Sequence, residues 1–151
     1  MSEVIIIPNT DEYMYEIING NTIYTPRNQY IEEYELKKTN LTFSSINNCL
    51  IKKEDKIIST TNRSYRSVLI NIWKTMPVND IRENSTFSFK SINENGVSGY
   101  KWCDDIQMSF SNRNANETVK EIIKMVKFNN LTIKLWIELS TGREIYFEID
   151  N

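Results

Sequence analysis

The chain has 151 residues, with Lys+Arg 18 against Asp+Glu 20 and a formal net charge of −2. That length fits a single domain that buries about 68–70% of the unfolded chain's surface, so neither a metal nor a disulfide framework is required for stability. Four Gly and three Pro argue against disorder. A near-balanced charge whose only basic runs are Lys37-Lys38 and Lys52-Lys53 argues against nucleic-acid binding, because phosphate neutralisation demands a basic face.

In chain order, Val4 to Ile7 is β-branched and ends at Pro8, which predicts a short edge strand. Tyr13 to Ile18 and Asn21 to Thr25 flank Asn19-Gly20, a strong hairpin signal, since both turn residues must take positive φ. A two-residue loop there pairs Tyr15 with Tyr24, and Pro26 stops the second strand. Asn28 to Lys38 reads either as one helical turn or as a strand with Ile31, Glu33 and Glu35 on one face; strand or irregular structure is preferred. Asn40 to Ile46 alternates Leu41 and Phe43 with polar residues and reads as a strand. Cys49 to Ile51 and Lys56 to Ser59 suggest a hairpin around Glu54-Asp55.

Tyr65, Val68, Leu69, Ile72, Trp73 and Met76 fall at helical spacing, with Ser64 able to cap and Pro77 ending the run. Thr86 to Ile92 places Phe87 and Phe89 on one strand face. Tyr100 to Phe110 reads as a strand interrupted at Asp104. Ala115, Val119, Ile122, Ile123 and Val126 make the apolar stripe of a second helix, with Lys120, Glu121, Lys124 and Lys127 turned away. Asn114 is its N-cap, Glu117 completes a capping-box pattern, and Asn129-Asn130 is its left-handed exit.

The clearest strand follows. Leu131, Ile133, Leu135, Ile137 and Leu139 alternate with polar residues and Trp136, and Ile145, Phe147 and Ile149 form the partner. Ser140-Thr141-Gly142 closes the hairpin and sets Ile137 opposite Ile145, Leu135 opposite Phe147 and Trp136 opposite Tyr146. Glu138 then faces Glu144, a like-charge pair.

These elements predict an α+β fold: a mainly antiparallel sheet with two amphipathic helices, ordered α-β-β-α-β-β over 64–151 after a β-rich part over 1–60, all in one domain. The first sixty residues either extend the main sheet or form a second layer.

Chemistry is sparse. No histidine is present, which removes Ser–His and Cys–His pairs and His-based metal sites. Asn95 to Gly99 lacks the spacing and the Lys of a phosphate loop. Cys49 and Cys103 are far apart, without metal-ligand spacing, and read as two reduced thiols. Five Asn-x-Ser/Thr sequons, at Asn40, Asn62, Asn84, Asn116 and Asn130, read as products of Asn richness, because no signal peptide is recognised. Ile5-Ile6-Ile7 is too short to cross a membrane. Neither catalytic residues nor cofactors are assigned. The alternative is a metal-dependent phosphodiester hydrolase: Asp104-Asp105 with Glu121 or Asp80 as oxygen ligands, or Glu35-Leu36-Lys37 in the Glu-x-Lys form of metal-dependent nucleases.

Trp136 and Tyr146 lie on the hairpin face opposite the Ile/Leu/Phe row. An N-terminal layer covers them, or they form an exposed aromatic patch for a partner. With Tyr15 and Tyr24 they are the expected interaction surface. The expected function is a non-enzymatic, cytoplasmic module that binds a protein, including a second copy of itself.

The runs Ser64–Pro77 (SYRSVLINIWKTMP), Gly99–Phe110 (GYKWCDDIQMSF) and Ala115–Lys127 (ANETVKEIIKMVK) resemble uncharacterised small proteins of mimivirus-type giant viruses of amoebae. The resemblance covers roughly the last ninety residues. It implies a viral origin with an AT-rich genome, consistent with the Asn, Ile and Lys richness, and implies no activity.

Overall fold

The computed structural model describes residues 12–90 and 99–150. The expected strand at Val4 to Ile7, the end of the Thr86–Ile92 run and most of the Asn95–Gly99 stretch lie outside them. Among the described residues there are four α-helices and nine strands, and every sheet is antiparallel, so the fold is α+β.

The C-terminal hairpin organises the rest. β8 (Thr132–Glu138) and β9 (Glu144–Ile149) pair in the expected register, including Leu135 with Phe147, Trp136 with Tyr146 and Glu138 with Glu144. Gly142 takes φ 88° in the turn, a conformation that costs a residue without Cβ nothing. On the other edge of β8 lies β3 (Ser45–Lys53), followed by β4 (Lys56–Ser59), giving a four-stranded sheet in the order β4-β3-β8-β9.

Alternation then sends side chains to two separate cores. Ile133, Leu135 and Ile137 join Ile51, Ile145 and Phe147 in the large core. That core is closed by α2 (Tyr65–Trp73) and α4 (Ala115–Phe128), whose Val119, Ile122, Ile123 and Val126 are all buried. Ser64 caps α2 in a reciprocal box with Ser67, and Asn114 Oδ1 accepts from Glu117 N at 2.8 Å at the start of α4. Asn130 at φ 52° lets the chain leave α4 and enter β8. A three-stranded sheet in the order β5-β7-β6, built from β5 (Phe89–Lys90), β6 (Tyr100–Cys103) and β7 (Met108–Ser111), meets α2 through Trp73. The indole lies edge-on to Phe87 and Phe110 at centroid distances of 5.7 and 4.9 Å.

The opposite sheet face carries Leu50, Trp136 and Tyr146, which form a second core with Ile18. β1 (Tyr13–Ile18) and β2 (Asn21–Pro26) cover it as a separate hairpin. Tyr15 pairs with Tyr24, and Asn19 and Gly20 take φ 52° and 78°. The described part of the N-terminal sixty residues therefore does both things: β3 and β4 extend the main sheet, while β1 and β2 form a further layer.

Five expectations are corrected. Residues 33–38 form a short helix, α1 (Glu33–Lys38), in place of a strand; Lys37 pairs with Glu33 one turn back, and Leu36 is buried. The expected strand from Asn40 begins only at Ser45, because Phe43 takes φ 60° and turns outward at 90% exposure while Leu41 is buried. After the Ser64 helix, Pro77 begins a further helix, α3 (Val78–Asn84). Tyr100 to Phe110 is two strands, because Gln107 at φ 52° reverses the chain after Asp104. Glu121, expected on the outer face of α4, is 1% exposed. The order after Ser64 is thus α-α-β-β-β-α-β-β. Among the described residues no helix is long and apolar enough to cross a membrane.

Candidate interaction surface

The β1–β2 hairpin has two unlike faces. Facing inward are Met14, Ile18, Ile23 and Thr25, which pack on or near the second core. Trp136 Nε1 donates to Thr25 Oγ1 at 2.7 Å, and Lys134 Nζ to Glu16 Oε2 at 2.5 Å. The Trp136 and Tyr146 rings lie 4.9 Å apart at 44°. The Tyr146 hydroxyl donates to Glu148 Oε2 at 2.7 Å, and burial, followed by that carboxylate, pushes its pKa well above the ordinary tyrosine value.

Trp136 at 7% and Tyr146 at 3% exposure are therefore not an open aromatic patch. An indole and a phenol are large apolar bodies with one polar end, and both ends here find partners, which makes the pair a stable floor for the hairpin. Clefts of about 250 and 220 Å³ flank this floor, the first lined by Tyr24, Asn48 and Glu144, the second by Tyr15, Arg27 and Glu148.

The other two expected residues do reach the surface. Tyr15 and Tyr24 face each other across the strands at 40% and 38% exposure. Tyr13 at 38% and Ile17 at 59% share that side. Their period of two with Met14, Glu16 and Ile18 was the available signal for them, and Tyr15–Tyr24 pairing alone understated the extent of the surface. Thr22 lies opposite Ile17 and Pro26 opposite Tyr13, so this strand face bears no charged side chain. Tyr30 at 40% exposure follows on the connecting segment; Ile31 N donates to Tyr146 O at 2.9 Å and ties that segment to the edge of β9.

The carboxylates named as possible metal ligands are engaged separately. Glu121 accepts from Ser85 Oγ, from Thr86 N at 3.1 Å and from Thr86 Oγ1 at 2.9 Å. Asp104 accepts the Trp102 indole N–H at 2.8 Å, and Asp105 pairs with Lys74 at 3.5 Å. Glu35 and Asp80 lie in the first turns of α1 and α3. Among the described residues no three acidic or cysteine side chains converge in a metal-holding group. Both cysteines are free and buried, and burial pushes the Cys49 thiol up to about 11. Asn62, one of the sequon residues, is 5% exposed; its amide donates to Ser59 Oγ at 2.8 Å and accepts from Asn71.

Compared with models of known families, with curated proteins and with solved structures, the chain matches none of them.

Proposed function

We propose that the protein is a non-enzymatic association module whose contact surface is the outer face of the β1–β2 hairpin, and that the surface receives a second copy of the same chain. What carries the reading is the set Tyr13, Tyr15, Ile17 and Tyr24, 38–59% exposed on one face whose β1 and β2 positions are occupied by uncharged residues. Tyrosine offers large contact area at low entropic cost and is enriched in interfaces. Uncharged strand positions suit self-association, because across them a second copy meets no like charge. The buried Trp136–Tyr146 floor keeps that face rigid, which lowers the ordering cost of association.

Size sets the strength. Six-residue strands span about 20 Å, and two such strands offer less than the roughly 800 Å² per partner of a standard interface. The dimer is accordingly weak and concentration-dependent. If the chain is of viral origin, as its resemblance to giant-virus proteins implies, it acts in the cytoplasm of an infected host. Concentration-dependent amide chemical shifts test the reading: they should fall on residues 13–26 and leave β6 and β7 unmoved. Shifts confined to another face, or none at all, refute it.

A further inference from the structure

A second surface is unlike the first in chemistry. Lys120, Lys124 and Lys127 recur on α4 at four- and three-residue spacing, so they form one stripe. Lys37, in the last turn of α1, joins them around a cleft of about 430 Å³ with Thr86 at its rim. Ile123, 2% exposed, gives the cleft an apolar floor.

The charge in this cleft is not balanced. Glu33 serves two cations at once, Lys37 at 3.0 Å and Lys127, and the Lys127 bond first, then Lys37, holds its carboxyl below the ordinary value. Glu121 borders the cleft, but its oxygens accept from Ser85 and Thr86. Lys120 and Lys124 have no ion-pair partner among the described residues. Like charges one helical turn apart weaken a helix, and among the described residues only Lys127 of this stripe has an ion pair, with Glu33, to offset that cost.

We propose that the cleft binds a compact, multiply charged phosphate of the pyrophosphate or triphosphate class, with Lys120 and Lys124 as its main contacts. Lysine ammonium groups bind phosphate as point charges that follow its oxygens. Two ammonium groups without partners, beside two that share one carboxylate, match a multiply charged anion better than a single carboxylate. A polymer is not favoured: the other lysine group, Lys52, Lys53 and Lys56, sits on β3 and β4 rather than beside this cleft, so no basic track continues from it.

Calorimetric titration of the full chain with sodium tripolyphosphate, at about 0.15 M salt where loose surface attraction is screened, tests the proposal. The expected result is one saturable site, weakened at least about tenfold in K120A/K124A and retained in K120R/K124R, which keeps both charges. Both positions are exposed, and equal thermal melting of the variants without ligand, or a slightly higher melting point for the alanine pair, shows that folding is intact. Absence of a saturable site, binding unaffected in K120A/K124A, or binding of a single-stranded oligonucleotide without binding of tripolyphosphate each overturns the proposal.

Discussion

Trp136 on β8 donates its indole N–H to Thr25 Oγ1 on β2, at 2.7 Å, where both residues are buried. One hydrogen bond thus couples the covering hairpin to the central strand across 111 positions of sequence. Thr25→Val keeps the shape and removes the acceptor, leaving a buried donor unpaired. Urea denaturation should show a loss of about 1–3 kcal/mol. In a Trp136→Phe background the same change should cost little, because the donor is already gone.

Alkaline pH should open the same seam. The ordinary Tyr146 value is 10.0, and in the fold burial and Glu148 raise it well beyond that. Below pH 10 the group is protonated whether folded or not, and its contribution is complete. Above pH 10 only the unfolded chain ionises, so stability falls as pH rises. Cys49 adds to the decline from 9.0 up to about 11. Denaturation midpoints measured from pH 8 to 11 should drop less steeply in Tyr146→Phe than in the wild type.

Glu121 is the polar joint of the large core. Its carboxylate gathers the end of α3 through Ser85 and the following backbone through Thr86. Glu121→Ala leaves those donors without an acceptor and should cost about 1.5–3 kcal/mol, the range for hydrogen bonds to a charged group. Glu121→Gln should cost less. Hydrogen exchange at the Thr86 amide should accelerate in the alanine variant ahead of the amides of β8.

Acid should act on a different region. Glu33 has its carboxyl value lowered first by Lys127 and then by Lys37. A depressed value means stability that is present above the ordinary carboxylate range and lost as pH falls through it. Glu33→Gln should therefore flatten the acid side of the stability profile. The effect should be small, because the pair lies at the surface, and it should shrink further in high salt.

Much of this architecture is legible in the sequence where two signals coincide. For β8 and β9, an alternating row and a loop ending in Gly142 specify one register between them, and the structure has that register. Asn19-Gly20 does the same for β1 and β2. Short helices leave no such trace. α1 buries Leu36 and α3 buries Ile81, and a single buried apolar residue defines no period. The turns at Phe43 and Gln107 use positive φ without glycine, so composition does not announce them. Glu121 sits beside lysines in sequence and reads as part of a solvated face; only the approach of Ser85 and Thr86 from α3 explains its burial. The proposed contact surface was half legible, since Tyr15 and Tyr24 could be paired from the turn, whereas the burial of Trp136 and Tyr146 depends on a layer contributed from more than a hundred residues away.

The most direct test of the central claim is sedimentation velocity from about 10 µM to about 1 mM, the range in which a small interface associates. The wild type should shift from monomer towards dimer over that range, and Tyr15→Ser with Tyr24→Ser should remain monomeric with its fold intact. A wild type that stays monomeric throughout, or a double variant that dimerises equally well, would contradict the assignment of the hairpin face.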